Sequence, residues 1–396
     1  MLTFKADHAG AQSWEPPYDG SDSAVLYYPD QNAVYIRYGW ENRKTDILVI
    51  KGKLPKARYY SYNLYDDRTK GTIAAIADFE VKPDHPQGDS YTIYVVPEKL
   101  KGQYPNQIIV PDSVVFTSVF LRYYLPENGI LAGVPLPVLN WKKGDQFLPV
   151  SPSLPIPAKN NNEAQALEKL IRSDPKRITK KERQVLTSPA SSKDEKERVI
   201  AKLMTVPIFK QAADPNQLGA FNYNSSGNYP NRDNHYIVMP VNLKNKSLLV
   251  VRFKAPTHAV TLGDISKEVR YYSLSQGNEY TNTSITMHDN QLRVSPDGFI
   301  YVVVAKEDAD VKAKAASMGI NFMPLLYKER IVLILRHMLP SPSFSSSTRE
   351  VPIFDNRKSA GEQSADKTIG AFALIGKFYK RNDWNTITNA SQFNFQ

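Results

Sequence analysis

Runs of five to seven β-branched, aromatic and aliphatic residues recur along the chain, each stopped by proline or by Asp, Asn and Gly. DILVIKGKLP (46–55), YTIYVV (91–96), SLLVVRFKAP (247–256) and FIYVVVA (299–305) are of this kind. Such runs predict short strands bounded by turns. The pattern changes in the middle of the chain, where residues 162–175, 178–189 and 192–204 place apolar residues at helical spacing. Leu167, Leu170 and Ile171 form one such stripe; Val199, Ile200, Leu203 and Met204 form another. Ser192 with Glu195 makes a capping box for the third predicted helix, and Pro175 and Pro189 end the first two.

The strand pattern is written twice. ARYYSYNLYDD (57–67) and VRYYSLSQGN (269–278) share Arg-Tyr-Tyr-Ser at an offset of 212 positions (270 − 58). YYPDQNAVYIRY (27–38) precedes the first copy as NYPNRDNHYIVM (228–239) precedes the second. TIAAIADFEVKPD (72–84) then matches SITMHDNQLRVSPDG (284–298), and VVFTSVFLRYYLP (114–126) matches RIVLILRHMLP (330–340). The one large discrepancy is an extra stretch, THAVTLGDISKE (257–268), ahead of the second Arg-Tyr-Tyr-Ser.

A long internal repeat of this kind predicts two copies of one structural unit. The expected fold is mainly β: two repeated antiparallel β-sandwich, jelly-roll-like modules with a helical insert between them. The expected organisation is a first module over 1–150, a proline-rich connection and helical insert over 151–220, a second module over 221–350 and an extension over 351–396 that packs on the modules. Residues 141–160 read as an extended proline-rich connection. TIGAFALIGKFYKRNDW near the end reads as a further strand or short helix closing the second module, followed by two phenylalanines in SQFNFQ that either dock or fray.

Composition adds three constraints. Tyrosine, with 23 copies, leans toward strands and half-buried surfaces. The absence of cysteine removes disulfides, thiolate metal sites and cysteine nucleophiles. The formal charge of +10 comes from 50 cations and 40 anions mixed along the chain, so nucleic acid is not the expected partner. No apolar run approaches the roughly 20 residues that span a bilayer. The opening MLTFKADHAGAQSWEPPYDG has no apolar h-region, so no signal peptide is expected there.

Candidate chemistry centres on the repeated residues. Strand alternation places Tyr59 and Ser61 on one face and Arg58 and Tyr60 on the other. A buried arginine needs an acid, and within each repeat an aspartate follows at 20 or 19 residues: Asp78 for Arg58 and Asp289 for Arg270. Arg122 and Arg336 compete for the same acids. Two readings follow, a structural ion pair in each module or arginines that meet a ligand carboxylate or phosphate. The candidate ligand contacts are Arg58, Tyr60, Arg122, Arg270, Tyr272 and Arg336. Of the six histidines none shows metal spacing, and His288 and Asp289, as strand neighbours, are expected on opposite faces. No metal or cofactor is expected. Nucleophile elbows, P-loops and dinucleotide fingerprints are missing from the sequence. Tyrosine-rich stretches such as YYSYNLY (59–65) suit stacking on sugar rings as well as a sandwich core.

ARYYSYNLYD, IADFEVKPD and LRYYLPENGILAGVPLPV, with VRYYSLSQGN, SPDGFIYVVVA, GINFMPL and LILRHMLPSPSF, resemble a group of uncharacterised bacterial proteins. These share features with a domain-of-unknown-function family found in tandem β-sandwich proteins, over roughly residues 25–140 and 225–345. The resemblance implies a periplasmic or secreted location and no particular catalytic residues. The expected function is that of a non-enzymatic exported binding or surface-interaction protein, with a ligand groove between the two modules. The expected partner is a small molecule or glycan, or other protein subunits, including copies of the chain itself. The alternatives are a self-assembling structural protein and a hydrolase or lyase acting on carbohydrate in that groove.

Overall fold

The first repeat supplies β1 Tyr18–Asp19, β2 Ala33–Glu41, β3 Ile47–Lys53, β4 Ala57–Asp66, β5 Gly71–Ala77, β6 Ser90–Pro97, β7 Gln107–Val110, β8 Phe116–Pro126, β9 Val138–Lys143 and β10 Gln146–Pro149. The second supplies β11 Asn234–Asn242, β12 Leu248–Lys254, β13 Tyr271–Gly277, β14 Thr283–His288, β15 Phe299–Ala305, β16 Asn321–Pro324, β17 Arg330–Met338 and β18 Ile375–Tyr379. These elements come from a computed structural model that describes residues 13–21, 28–43, 45–156, most of 179–203, 219–223, 229–243, 248–326, 330–355 and most of 358–395.

The strands form four sheets, in the orders β1-β2-β8-β4-β5, β10-β9-β3-β6-β7, β11-β17-β13-β14 and β16-β15-β12-β18. The repeat is therefore structural strand by strand: β2-β8-β4-β5 corresponds to β11-β17-β13-β14, and β9-β3-β6-β7 to β18-β12-β15-β16. Pairing is antiparallel except for β6–β7 and β15–β16, which are parallel at the same place in each repeat. β18 stands beside β12 as β9 stands beside β3, so the C-terminal stretch adds a strand that completes the second sandwich.

Alternation explains the packing. Tyr60, Tyr62 and Leu64 of β4 enter the first sandwich core with Ile50 of β3 and Ile93 of β6. Tyr272 and Leu274 of β13 enter the second with Val251 of β12 and Val302 of β15. The opposite faces of β4 and β13 turn toward each other, where Tyr35, Tyr59 and Tyr124 cluster with Tyr271 and Met338. Two sandwiches thus stack face to face, with a shared polar-aromatic layer between them. On the far side of the second sandwich, helix Ala309–Ser317 and the terminal residues Trp384 and Phe393 cover Val250 and Val303. The final phenylalanines dock: Phe393 is buried, and Phe395 lies over the Arg252 guanidinium.

One expectation changes. Residues 141–149 are not an open connection, because β9 and β10 form a hairpin that extends the sheet of β3. Of the three predicted helices, the second is present as Lys180–Thr187, capped by Thr179 and Glu182. The third keeps its Ser192–Glu195 capping box, while 162–175 lies outside the described residues. Lys202 ties the two helical stretches together through Glu182 at 2.6 Å.

His337 lies across the ladder from Tyr272, where Tyr123 lies across from Tyr60 in the first repeat. Its Nδ1 accepts the Thr348 N–H at 3.2 Å, and its Nε2 is sealed without a partner. Burial, and then the charge of His235, push the imidazole down to about 3. Its unfolded value is about 6.5, so the native state excludes a proton that the unfolded chain binds. The stability it supports is complete above that value and is lost as pH falls toward the folded one. We expect unfolding stability to drop on the order of 3 kcal/mol between pH 7 and pH 4 from this group alone. His235, pushed down by burial and by Arg349, adds to the slope. Urea titrations across that range should give a flatter profile for His337→Gln; an equally steep one would refute the assignment.

Candidate functional site

The shared layer between the sandwiches is built by exchange. Each repeat carries a Tyr-Pro hook before its first long strand, and each hook docks on the sheet of the other repeat. Tyr28 and Tyr229 both take left-handed backbone, at φ 53° and 51°. This region is uncommon for a residue with a Cβ and costs about 1–3 kcal/mol. The turn sends the Tyr28 carbonyl to Arg336 Nη2 at 2.5 Å and the Tyr229 carbonyl to Arg122 Nη2 at 2.8 Å. The next carbonyls, of Pro29 and Pro230, accept from Thr283 and Thr72, each at 2.6 Å. Gly277 makes room for the Tyr28 ring, since a Cβ there would lie 2.4 Å from it.

The acid of each hook serves the first tyrosine of the opposite Arg-Tyr-Tyr-Ser. Tyr271 donates to Asp30 at 2.9 Å, and Tyr59 donates to Asp233 at 2.6 Å. The two hooks place acid and amide in opposite order, Asp30 with Asn32 against Asn231 with Asp233, and the hydroxyl meets the acid either way. Asp30 also accepts from Ser273 at 2.8 Å.

The arginines cross over as well. Arg58 pairs with Asp289 at 2.5 Å and Arg270 with Asp78 at 2.6 Å. The expected partners within each repeat are therefore exchanged between repeats. Arg270 Nη1 also donates to the Arg58 carbonyl at 3.1 Å, which brings the two pairs side by side. Strand alternation alone would have sent Arg58 into the sandwich with Tyr60. Between the ladder pairs Ala57–Pro126 and Tyr59–Tyr124, however, Leu125 is left-handed at φ 47°, and the ladder is irregular where Arg58 leaves it. Leu339, just past the Tyr271–Met338 pair, repeats this at φ 45°. Arg122 and Arg336 do not compete for Asp78 or Asp289. They hold the hook carbonyls, and they also donate to Tyr65 and Ser275 of their own repeats.

The structure thus divides the sequence-based candidates. Arg58, Arg122, Arg270 and Arg336 meet in the junction, with Asp78 and Asp289. Tyr60 and Tyr272 point into the two sandwich cores, one turn of the pleat away.

The two ion pairs differ in their surroundings. The extra stretch 257–268 is closed at its base by Thr257 and Glu268, with the Thr257 N–H 2.7 Å from the Glu268 carboxylate. It crosses to the first module, where Leu262 joins the core, the Gly263 N–H reaches Asp78 at 3.3 Å and the Asp264 carbonyl takes Arg270 Nε at 2.7 Å. The Arg270 and Asp78 side chains are 1 % and 0 % exposed, and Arg270 Nη2 is sealed without an acceptor. The counterpart is also buried, with the Arg58 and Asp289 side chains 6 % and 0 % exposed, but histidines form its edge. Beside Asp289 stand His258 Nε2 at 4.0 Å and His288 Nδ1 at 3.4 Å, with side chains 26 % and 12 % exposed. His288 and Asp289 do not oppose each other, because β14 ends at His288 and the chain turns there. Tyr272 meets the edge of the His258 ring at 5.5 Å. Among the described residues, Arg58 Nε and Nη2 and the Tyr272 hydroxyl have no partner.

Electrostatics follow this difference. Burial raises the Asp289 carboxyl, but bonds from His288 and Arg58 and the charges of Arg58 and His258 outweigh it, holding it below its ordinary value. At Asp78, which has no histidine beside it, burial outweighs Arg270 and the Gly263 and Phe79 N–H groups and holds it above. Nothing in the sequence marked His258, since its place beside Asp289 depends on the path of the extra loop. Among the described residues no group of three His, Asp or Glu is placed to hold a metal ion, and no helix is long and apolar enough to cross a membrane.

No protein-family model matches the chain, and no curated protein matches it. Two solved bacterial structures are similar. One, an uncharacterised protein from Burkholderia cenocepacia, superposes with a TM-score of 0.55 at 10 % identity, covering 96 % of this chain and 84 % of that one. A protein from Vibrio parahaemolyticus reaches a TM-score of 0.42 at 14 % identity, covering 90 % and 92 %. The Burkholderia likeness supports the fold and carries no function.

Replacing Asp289 by Asn leaves the Arg58 charge buried and unpaired, which should cost about 3–5 kcal/mol. The sign of the pH effect follows from the lowered carboxyl: its stabilisation is complete above the unfolded value of about 3.9 and is lost as pH falls further. Asp78, held above its ordinary value, gives the opposite slope, its contribution growing as pH falls through the same region. Acid unfolding monitored by circular dichroism should therefore begin at higher pH without Asp78 and lose part of its acid limb without Asp289. Identical acid limbs in Asp78→Asn and Asp289→Asn would contradict this.

Proposed function

We propose that the chain is an exported, non-enzymatic binding protein whose ligand seats at the open rim of the junction, against Arg58, Tyr272, His258 and Asp289. The observation that supports this reading is the asymmetry of two otherwise equivalent ion pairs. One is closed over by an inserted loop; the other leaves donors of Arg58 uncommitted behind two partly exposed histidines. A buried fork of donors is a common means of recognising a polar group at a domain junction. The centre of the junction is filled by tyrosines and hooks, so the ligand meets an edge rather than a through-going groove. Export follows from the resemblance to bacterial tandem-sandwich proteins and is compatible with a chain that has no cysteine.

One observation favours a second reading. His288 Nδ1 lies 3.4 Å from Asp289, an arrangement in which a carboxylate orients an imidazole for acid–base work on carbohydrate.

Native mass spectrometry of gently purified protein, at two concentrations, separates these. The binding reading expects a retained small-molecule adduct that disappears in Tyr272→Phe and His258→Ala. An adduct retained by both variants places the ligand elsewhere and overturns it. A ladder of oligomers without adduct favours self-assembly, and turnover of a glycan panel by the bare monomer favours the hydrolase.

A further inference from the structure

We infer that the rim site recognises an oxyanion, a carboxylate or a phosphoryl group, held by Arg58 with His258 and the Tyr272 hydroxyl. This rests on the binding reading above and adds the ligand's chemical class.

A guanidinium carries five N–H donors in a planar fork, matched to two oxygens of a carboxylate or phosphate. Asp289 occupies only Nη1 of Arg58. Asp289 is itself engaged at both oxygens: its Oδ1 also takes the Asn290 N–H at 2.8 Å and faces His288, and its Oδ2 takes the Tyr272 N–H at 3.3 Å. The capacity left at this corner is weighted toward donors: the rest of the Arg58 fork can only donate, and the Tyr272 hydroxyl and the His258 ring can donate as well as accept. A group rich in acceptors and carrying charge completes such a set better than a neutral polyol, which would bring donors of its own. The +10 formal charge of the whole chain draws anions toward its surface.

The second ion pair shows what completion looks like. At Arg270 three oxygens, from Asp78 and from the Asp264 and Arg58 carbonyls, engage Nε and Nη1, and only Nη2 is left without an acceptor. The Asp264 carbonyl comes from the inserted loop. Arg58 receives no carbonyl from that loop, which brings His258 beside Asp289 instead, and the oxygens of a ligand would take the place of those carbonyls.

The test is calorimetric titration of the full chain at low salt, with citrate and with inorganic phosphate as separate probes. At least one probe should bind, and added sodium chloride should weaken it. His258→Ala and Tyr272→Phe, which leave the Arg58–Asp289 bond itself in place, should each weaken binding about tenfold. Arg58→Lys, which keeps a charge for Asp289 but loses the fork, should abolish it while circular dichroism remains native. Tyr123→Phe, a hydroxyl lost inside the first sandwich, should bind as the parent does. A preference for citrate or for phosphate identifies the carboxylate or the phosphoryl source. Equal binding by the parent, His258→Ala and Tyr272→Phe overturns the inference. So does a neutral oligosaccharide that binds the parent and not His258→Ala while neither anion binds, an outcome that leaves the binding reading intact. If no ligand of either charge binds, both fall.

Discussion

The structure depends on a reciprocal exchange of polar contacts across one buried layer. Each half of the chain contributes a hook, an arginine and an aspartate that are satisfied only by the other half. A buried guanidinium without a carboxylate, or a buried carboxylate without donors, costs several kcal/mol. Neither half can therefore present this face to another surface at similar free energy. Apolar contact alone would leave two flat sheets free to slide or to meet other sheets. The paired charges, the left-handed tyrosines and the space left at Gly277 admit one register. Here ionic groups act chiefly as specificity devices, a role well attested for buried polar residues even where their net stabilisation is small.

The repeated Arg-Tyr-Tyr-Ser serves two surfaces at once. Its second tyrosine, with the next alternate residue, fills the sandwich behind it; its arginine, first tyrosine and serine face the other repeat. Alternation makes that division automatic for every position except the arginine, which sits where the ladder is interrupted. The doubling of this tetrapeptide, with the Tyr-Pro hook, records a single interface solved once and used in both directions. The inserted loop then breaks the symmetry. It gives one ion pair a roof and leaves the other with histidines at its edge, and that difference distinguishes the two halves of the junction chemically.

Much of the architecture was legible along the chain. Proline-stopped runs gave the strands, matched segments gave the two sandwiches, and the capping box at Ser192 lies where helical residues stand. The misreadings have physical causes. The β9–β10 hairpin was hidden by the prolines around it, because an edge strand tolerates proline that a central strand does not. The pairing of Asp78 with Arg58 looked natural because sequence distance favours partners within one repeat. In the folded chain the nearer acid is the one that arrives from the opposite sheet.

The sequence by itself determined the periodicities, the repeat and the identity of the buried polar residues, since these depend on local spacing and on what each side chain can bond. Which arginine meets which aspartate was decided only in three dimensions. The same is true of which pair is roofed by the loop's carbonyls and which is edged by histidines, and of His258 standing beside Asp289. Those facts depend on how two sheets are superposed and on where a twelve-residue insertion runs (257–268), and no local rule of spacing carries information about a surface 200 residues away in the chain.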